Sequence, residues 1–183
     1  MTNANPYVFG YGSLLWNPGF PFLCSHKAVL HGAHRALAIY SHRHRGTPER
    51  PGLVFGLRRG GSCHGLAFEV AAEDWPEVFA YLQAREQDRG VYREAWRAVT
   101  LAGGAPVSAL AFLVDERHPQ YAGRLPLAEQ VRIIAAGEGE SGRNSDYVRN
   151  TAQHLAALGI RDRMLGTLVA ALEAAEEKSL RRR

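Results

Sequence analysis

The chain has 183 residues, of which 46% are hydrophobic and 22% are charged, and its formal net charge is +4. This composition is typical of a globular protein with a sizeable core and excludes disordered, fibrous and membrane-spanning classes, since no apolar stretch approaches the roughly 20 residues that span a bilayer. The two cysteines, Cys24 and Cys63, are too few for a disulfide framework or a multi-cysteine zinc site.

The first residues, "MTNANPYVF", contain no basic segment followed by an apolar run, so we expect no secretory signal and a cytoplasmic protein. Much of the excess positive charge lies in "SHRHRGTPER" and in the terminal "LRRR". The terminal arginines suit the negative end of a helix dipole. Because the net positive charge is small and no apolar stretch is long enough to span a bilayer, we expect neither a nucleic-acid nor a membrane partner. With only two cysteines, we also expect no cofactor.

The order of the predicted elements indicates an α+β fold. Strands and turns dominate up to about Leu113, with one helix among them, and helices follow. Strands at "YVFGYG" and "RALAIYS" precede two candidate hairpins, which turn at Gly60-Gly61 and at Gly103-Gly104. We predict a mixed, largely antiparallel sheet that curls into a barrel with flanking helices. No linker or second-domain boundary is visible, so residues 1–183 are predicted to form a single domain.

Four helices are predicted from periodicity and end signals. The first is "EDWPEVFAYLQAREQ", and the second begins near Pro126 and stops at Gly137. The third has Asn144 or Ser145 as its N-cap and Gly159 as its terminator. The fourth begins at Asp162 and is predicted to bury five apolar side chains, those of Met164, Leu165, Leu168, Val169 and Leu172.

One carboxylate lies on the apolar stripe of the first helix. Glu86 follows Leu82 by four residues, Phe79 by seven and Val78 by eight. A core-facing carboxylate is uncommon because its charge is costly to bury. Three interpretations stay open here. Glu86 lies just past the helix end, it forms a structural ion pair with Arg85, Arg89 or Arg93, or it is a general base with a raised pKa.

The segment "GYGSLL" resembles two well-known loops and matches neither. Leu15 replaces the third glycine of a dinucleotide fingerprint, and it also breaks the pattern of a serine-nucleophile elbow. The remaining interpretations are a plain turn after a strand, or a turn whose successive N–H groups bind an anionic group.

The histidines of "SHRHR" are candidate metal ligands. His42 and His44 would share a face in an extended segment, but their neighbours are Arg43 and Arg45 rather than carboxylates or cysteines. The segment also lacks the interleaved aromatic residues of a nucleic-acid platform. We therefore predict no metal, and a loop that borders a site for an anionic small molecule. The segment "GEGESGRNSDYV" is interpreted either as simple helix capping or as a second loop at a ligand site.

Four segments in this order resemble the ChaC-like family of glutathione-specific γ-glutamylcyclotransferases. They are "VFGYGSLLWNPGF", "HRGTPERPGLVFGL", "YLQAREQDRGVY" and "GESGRNSDYV". The resemblance runs from about Tyr7 to Leu172. It implies the fold of that family, a γ-glutamyl compound such as glutathione as the small-molecule substrate, and 5-oxoproline as a product.

The resemblance also implies roles for individual residues. Glu86 matches the family's catalytic glutamate, and Tyr147 matches a tyrosine expected to reach the pocket. The loop that holds the γ-glutamyl group through backbone groups matches four residues, Tyr11, Gly12, Ser13 and Leu14. Two departures, at Arg89 and Arg143, affect the expected recognition of the peptide side of the substrate rather than the chemistry.

The mechanism that this resemblance implies is a cyclisation in which Glu86 acts as general acid and base. Two alternatives are retained. One keeps the chemistry and acts on another γ-glutamyl amine or peptide. The other is a non-catalytic binding module that uses the basic "SHRHRGTPER" surface and binds an acidic partner in a salt-sensitive way.

Overall fold

A computed structural model describes residues 5–86 and 90–181, without the side chains of Glu86 and Ser179. The chain forms two compact units, which are described separately. The first lies within Met1–Ala36 and Gly56–Pro119, and the second within Leu37–Phe55 and Gln120–Arg183. The prediction of a single domain stays a prediction.

In the described residues, five strands close a barrel in the order β1-β3-β2-β4-β5, and β3 also pairs with β5. The pairing is mixed: β4 and β5 are antiparallel, whereas β1 and β5 are parallel. The predicted α+β fold with a largely antiparallel, barrel-forming sheet is confirmed. The strands are β1 (Tyr7–Gly10), β2 (Cys24–Ser41), β3 (Gly52–Glu69), β4 (Tyr92–Leu101) and β5 (Pro106–Val114).

The first unit holds most of the barrel and one helix, α1 (Trp75–Glu86). Strand β5 is buried from Ala109 to Val114, as expected for a strand covered on both faces. Helix α1 buries Val78 and Leu82, which lie on the predicted apolar stripe. This packing fixes the C-terminal end of α1, where Glu86 is the last helical residue.

One of the two predicted hairpins is wrong. The segment with Gly60 and Gly61 is a single strand, β3, in which these glycines have φ values of 91° and 72°. Positive φ suits glycine because it has no Cβ, and such residues bend or bulge a strand without ending it. The second hairpin, between β4 and β5, is confirmed, and its turn contains Gly103 and Gly104 with positive φ.

The second unit contains the later helices and a short strand pair. They are α2 (Leu127–Ala136), β6 (Glu138–Gly139), β7 (Gly142–Arg143), α3 (Asn144–Ala157) and α4 (Arg163–Leu180). Helix α4 buries Leu165, Leu168 and Leu172 as predicted. The prediction for Met164 is wrong, because this residue is 38% exposed, and Val169 is only half-buried. Among residues 5–86 and 90–181, no helix combines the length and apolar character needed to cross a bilayer.

Candidate active site

The turn after β1 is built from the segment "GYGSLL". A short 3₁₀ turn over Ser13–Leu15 follows Gly12. The Leu15 amide donates to the Gly12 carbonyl oxygen at 2.9 Å, and the Asn17 amide donates to the Ser13 carbonyl oxygen at 2.9 Å. Because bonds in a 3₁₀ turn run from residue i+3 back to residue i, the amides of Ser13 and Leu14 have no acceptor within the turn. They are the backbone donors that this turn can present to a ligand.

The same turn is anchored in the barrel by Tyr11 and Arg35. The Tyr11 hydroxyl donates to the Phe112 carbonyl oxygen at 3.2 Å. The Tyr11 carbonyl oxygen accepts a bond from Arg35 Nε at 2.6 Å, and Arg35 Nη2 donates to the His64 carbonyl oxygen at 2.7 Å. Arg35 is only 5% exposed. Charge-assisted bonds of this kind fix the backbone ahead of Gly12 in one position.

Arg85 joins the end of α1 to the turn. Its Nη2 donates to Ser13 Oγ at 3.0 Å. Its Nη1 donates to the carbonyl oxygens of Asn17, at 2.8 Å, and Pro18, at 3.1 Å, and to the Tyr81 hydroxyl at 2.8 Å. A planar guanidinium with several fixed donors can bridge a set of acceptors in this way, whereas an ammonium group has no such fork. The C-terminal end of α1 is therefore tied to the turn after β1.

Two of the predicted site elements are brought together by this contact. Ser13 belongs to the predicted substrate loop, and Arg85 directly precedes Glu86 in the chain. Glu86 is the last residue of α1, and its side chain lies outside the described residues. Residue Arg89, the first departure from the family pattern, lies outside them as well.

In the second unit, the prediction of Asn144 or Ser145 as the N-cap of α3 is wrong. The helix begins at Asn144, and its N-cap residue is Arg143, which makes no side-chain cap bond. Asn144 Oδ1 instead accepts a bond from the Leu53 amide, and Asn144 Nδ2 donates to the Leu53 carbonyl oxygen, both at 2.7 Å. The side-chain amide thus pairs with β3 as a neighbouring strand would. Because Asn144 is fully buried, these two bonds satisfy groups that would otherwise be costly to bury.

Tyr147 lies one turn into α3 and is 6% exposed. Its hydroxyl oxygen accepts a bond from the Phe55 amide at 3.2 Å. The Arg45 guanidinium carbon lies 5.2 Å from the centroid of the Tyr147 ring, within the range of a cation–π contact. Burial lowers the pKa of Arg45 from its ordinary value, and the nearby Tyr147 and Asp146 oppose that change. The guanidinium is still charged at neutral pH.

Backbone bonds hold the "RHRGTPERPG" and "GESGRNSDY" segments side by side. The Glu140 amide donates to the Arg43 carbonyl oxygen at 2.9 Å, and the Ser141 amide donates to that of His44 at 3.0 Å. Arg45 Nη1 also donates to the Ser141 carbonyl oxygen. The two segments bring Arg43 and Arg45 to one surface, where Arg43 is ion-paired with Glu140 at 2.7 Å and part of the positive charge is therefore offset.

His42 and His44 do not share a strand face. Strand β2 ends at Ser41, and the two histidines lie in the bend that follows. His44 Nδ1 lies 3.1 Å from Ser141 Oγ instead. Sequence reasoning also missed the linking roles of Arg85, Arg35 and Arg45. The sequence signals for Arg85 were its position immediately before Glu86 and its i,i+4 spacing from Tyr81, whereas its acceptors in the turn, Ser13, Asn17 and Pro18, are distant in the chain.

Comparison with known proteins identifies relatives over most of the chain. The sequence profile of the family described as ChaC-like protein matches residues 6–175. The glutathione-specific gamma-glutamylcyclotransferase of Escherichia coli (strain K12) is 34% identical over 167 residues, covering 91% of this chain and 72% of the relative. Gamma-glutamylcyclotransferase 2-3 of Arabidopsis thaliana is 32% identical over 165 residues, covering 86% and 83%.

The fold has a counterpart among solved structures. A crystal structure of a yeast γ-glutamyl cyclotransferase specific to glutathione superimposes with a TM-score of 0.87 at 23% sequence identity, covering 94% of this chain and 97% of the yeast chain. At 23% identity this superposition establishes only a shared fold. Family membership rests on the profile match and on the relatives of more than 30% identity. On these grounds the chain belongs to the ChaC-like protein family.

Proposed function

We propose that this protein is a γ-glutamylcyclotransferase that converts glutathione into 5-oxoproline and cysteinylglycine. The observation that carries the proposal is the relation to the Escherichia coli enzyme, whose name states glutathione specificity and which matches this chain over most of both sequences. Membership of the ChaC-like family supports the same activity.

The chemistry is an intramolecular acyl transfer. The α-amine of the γ-glutamyl group attacks the γ-carbonyl carbon, and a new C–N bond closes a five-membered lactam. The bond between that carbon and the cysteine nitrogen then breaks. No water is consumed, because the nucleophile belongs to the substrate. A substrate held in the cyclising conformation gains the entropic advantage of an intramolecular reaction.

Glu86 is proposed as the group that moves the proton. The α-amine is mostly an ammonium at neutral pH and must lose a proton to attack, and the leaving amine must gain one. A single carboxylate can accept the first proton and return it in the second step. The support is the motif match and the position of Glu86 at the end of α1, directly after the arginine that binds Ser13.

The turn after β1 is proposed to hold the γ-glutamyl group. The tetrahedral intermediate carries an oxyanion, which needs donors that are already aimed at it. The amides of Ser13 and Leu14 are candidates because the turn itself does not use them. In this proposal Tyr11 anchors the turn, and the Ser13 hydroxyl has a positioning role rather than a nucleophilic one.

The experiment is to incubate the purified protein with glutathione and to measure 5-oxoproline and cysteinylglycine by mass spectrometry. We expect both products in equal amounts, and we expect Glu86→Gln to lower turnover by at least about 100-fold. Glu77→Gln, an exposed position in the first turn of the same helix, is the matched control.

Two results would contradict the proposal. A Glu86→Gln variant as active as the parent would remove Glu86 from the mechanism. A parent that releases no 5-oxoproline from glutathione, but does so from γ-Glu-Ala or γ-Glu-Cys, would keep the chemistry and replace the substrate.

A further inference from the structure

Three side chains of types that ligate metals lie together in the first unit, where β2 begins and β3 ends. Cys24 and His26 are the first and third residues of β2, and Glu69 is the last residue of β3. Residues i and i+2 of a strand point to the same side, so the thiol and the imidazole share a face. The Leu23 amide donates to the Glu69 carbonyl oxygen at 2.8 Å, which aligns the two strand ends.

The donor atoms are spaced like the corners of a tetrahedral site. Cys24 Sγ lies 3.2 Å from His26 Nε2 and 3.3 Å from Glu69 Oε2, and all three ligand atoms lie within 4.8 Å of one another. Zinc bonds of about 2.3 Å to sulfur and about 2.0–2.1 Å to nitrogen or oxygen, at tetrahedral angles, separate sulfur from the other ligands by about 3.6 Å. A shift of a few tenths of an ångström suffices to admit the ion.

From this geometry we propose that Cys24, His26 and Glu69 form a Zn²⁺ site, with water as the fourth ligand. Thiolate, imidazole and carboxylate are the three side-chain ligand types that zinc takes in proteins. On binding, the Cys24 thiol loses its proton to solvent and the sulfur forms the metal bond. All three residues are partly exposed, so the ion has an entry path from solvent.

The neighbouring residues hold the carboxylate in place. Asn5 Nδ2 donates to Glu69 Oε1 at 2.8 Å, and Tyr7 also hydrogen-bonds to the Glu69 carboxylate. These bonds hold the carboxylate with Oε2 directed at Cys24. Outer partners that orient a ligating carboxylate are a regular feature of protein metal sites.

The proposed Zn²⁺ site lies where strands of the first unit begin or end. Tyr7 begins β1 and pairs with Glu69, whereas Gly10 ends β1 next to the predicted substrate turn. Tyr7 and Gly10 are three residue steps apart, which is about 10 Å along an extended strand. We infer that the ion fastens the starts of β1 and β2 to the end of β3 and takes no part in the reaction. The inference therefore does not depend on the proposed function.

The test uses the full chain, freed of metal by a chelator and kept reduced. Zn²⁺ is titrated in competition with a chromophoric chelator, and Co²⁺ is titrated in parallel because cobalt bound to thiolate gives a charge-transfer absorption band. We expect one equivalent to bind and the band to appear. Cys24→Ser should abolish the band, and both Cys24→Ser and His26→Ala should weaken Zn²⁺ binding by at least about 10-fold.

Matched controls separate this site from general thiol and imidazole binding. Cys63→Ala removes the other cysteine, and His31→Ala removes an exposed histidine of the same strand. Both variants should bind Zn²⁺ like the parent. Zn²⁺ at about 100 times the parent's Kd should raise the Tm of the parent by about 5–10 °C and should raise that of His26→Ala by no more than about half as much.

The proposal fails if the parent binds no Zn²⁺ in competition with the chelator. It also fails if binding persists at parental strength in both Cys24→Ser and His26→Ala, or if the control substitutions weaken it equally. Circular dichroism without metal establishes that each variant is folded. If Cys24→Ser does not fold, the comparison between His26→Ala and His31→Ala decides the question alone.

Discussion

The Arg85 guanidinium donates a hydrogen bond to the Ser13 hydroxyl at 3.0 Å, although 72 residues separate them in the chain. The same guanidinium bonds to the carbonyl oxygens of Asn17 and Pro18. These bonds therefore hold the end of α1 against the turn after β1. In the proposed reaction, Arg85 positions Glu86 against the substrate turn without touching the reacting atoms.

Replacing Arg85 by lysine should lower turnover while leaving the fold intact. An ammonium keeps the charge but cannot reach several acceptors with fixed geometry, so the end of α1 loosens against the turn. A misplacement of about 1 Å can cost about 100-fold in rate, so we expect kcat to fall by about 10- to 100-fold. Initial rates of 5-oxoproline release measure this.

The control for Arg85→Lys is Arg132→Lys, which alters an exposed arginine paired with Glu129 in α2. It should keep parental kcat. An Arg85→Lys variant with unchanged kcat and unchanged Tm would show that the bridge to Ser13 does not position the catalytic carboxylate.

The two central residues of the substrate turn should differ in their sensitivity to alanine. Gly12 is buried, so we expect an added methyl group to shift the backbone whose amides are proposed to bind the oxyanion. We expect Gly12→Ala to lower kcat/KM by about 100-fold, the cost of one misplaced oxyanion donor. Ser13→Ala removes only the acceptor for Arg85, so its loss should be smaller, about 3- to 10-fold.

A glycine in α4 provides the control for that comparison. A Cβ added at Gly166 meets no atom within 4 Å, so Gly166→Ala should leave kcat/KM unchanged. If Ser13→Ala abolished activity and Gly12→Ala did not, the turn after β1 would not act through its backbone amides, and the Ser13 hydroxyl would have a direct chemical role.

Removing the Asn144 side chain should destabilise the second unit. In Asn144→Ala the Leu53 amide and carbonyl groups lose their partners in a buried setting. Each of the two unsatisfied groups costs about 1–3 kcal/mol, so the free energy of unfolding should fall by about 2–6 kcal/mol. Urea denaturation measures it, and Asn150→Ala, at an exposed position of the same helix, should change it by less than about 0.5 kcal/mol. If Asn144→Ala lowered the free energy of unfolding by no more than Asn150→Ala does, the bonds between Asn144 and Leu53 would not stabilise the second unit.

The elements of this fold were largely predictable because periodicity and end signals are local. The helices ending at Gly137 and Gly159 have the bounds that those glycines indicate. The Gly60-Gly61 pair misled because two adjacent glycines are typical of a hairpin turn. Whether the chain reverses there or continues as β3 depends on strands elsewhere in the barrel, which no local pattern specifies.

The contacts of the site were less predictable than its segments. Four short segments carried the family resemblance, yet none of them indicated what Asn144 does. A helix N-cap is a bond to a neighbour in sequence, whereas Asn144 bonds to Leu53, 91 residues away. Likewise Cys24 and Glu69 are 45 residues apart and become neighbours only when β2 and β3 align. Such pairings follow from strand register, which sequence patterns alone leave open.

Tyr147 offers a way to separate substrate binding from support of the fold. Tyr147→Phe removes the hydroxyl that accepts the Phe55 amide bond and keeps the ring beside Arg45. Losing one hydrogen bond should lower the free energy of unfolding by about 1 kcal/mol. If Tyr147 also contacts the substrate, as proposed from its motif, the KM for glutathione should rise by about 3- to 10-fold with kcat little changed, because the lost interaction is the same in the ground and transition states.

Tyr40→Phe, in β2 of the same unit, should leave KM at the parental value. A Tyr147→Phe variant that is less stable but has parental KM would assign the hydroxyl to the scaffold alone, because a group that binds substrate cannot be removed without changing the affinity for it.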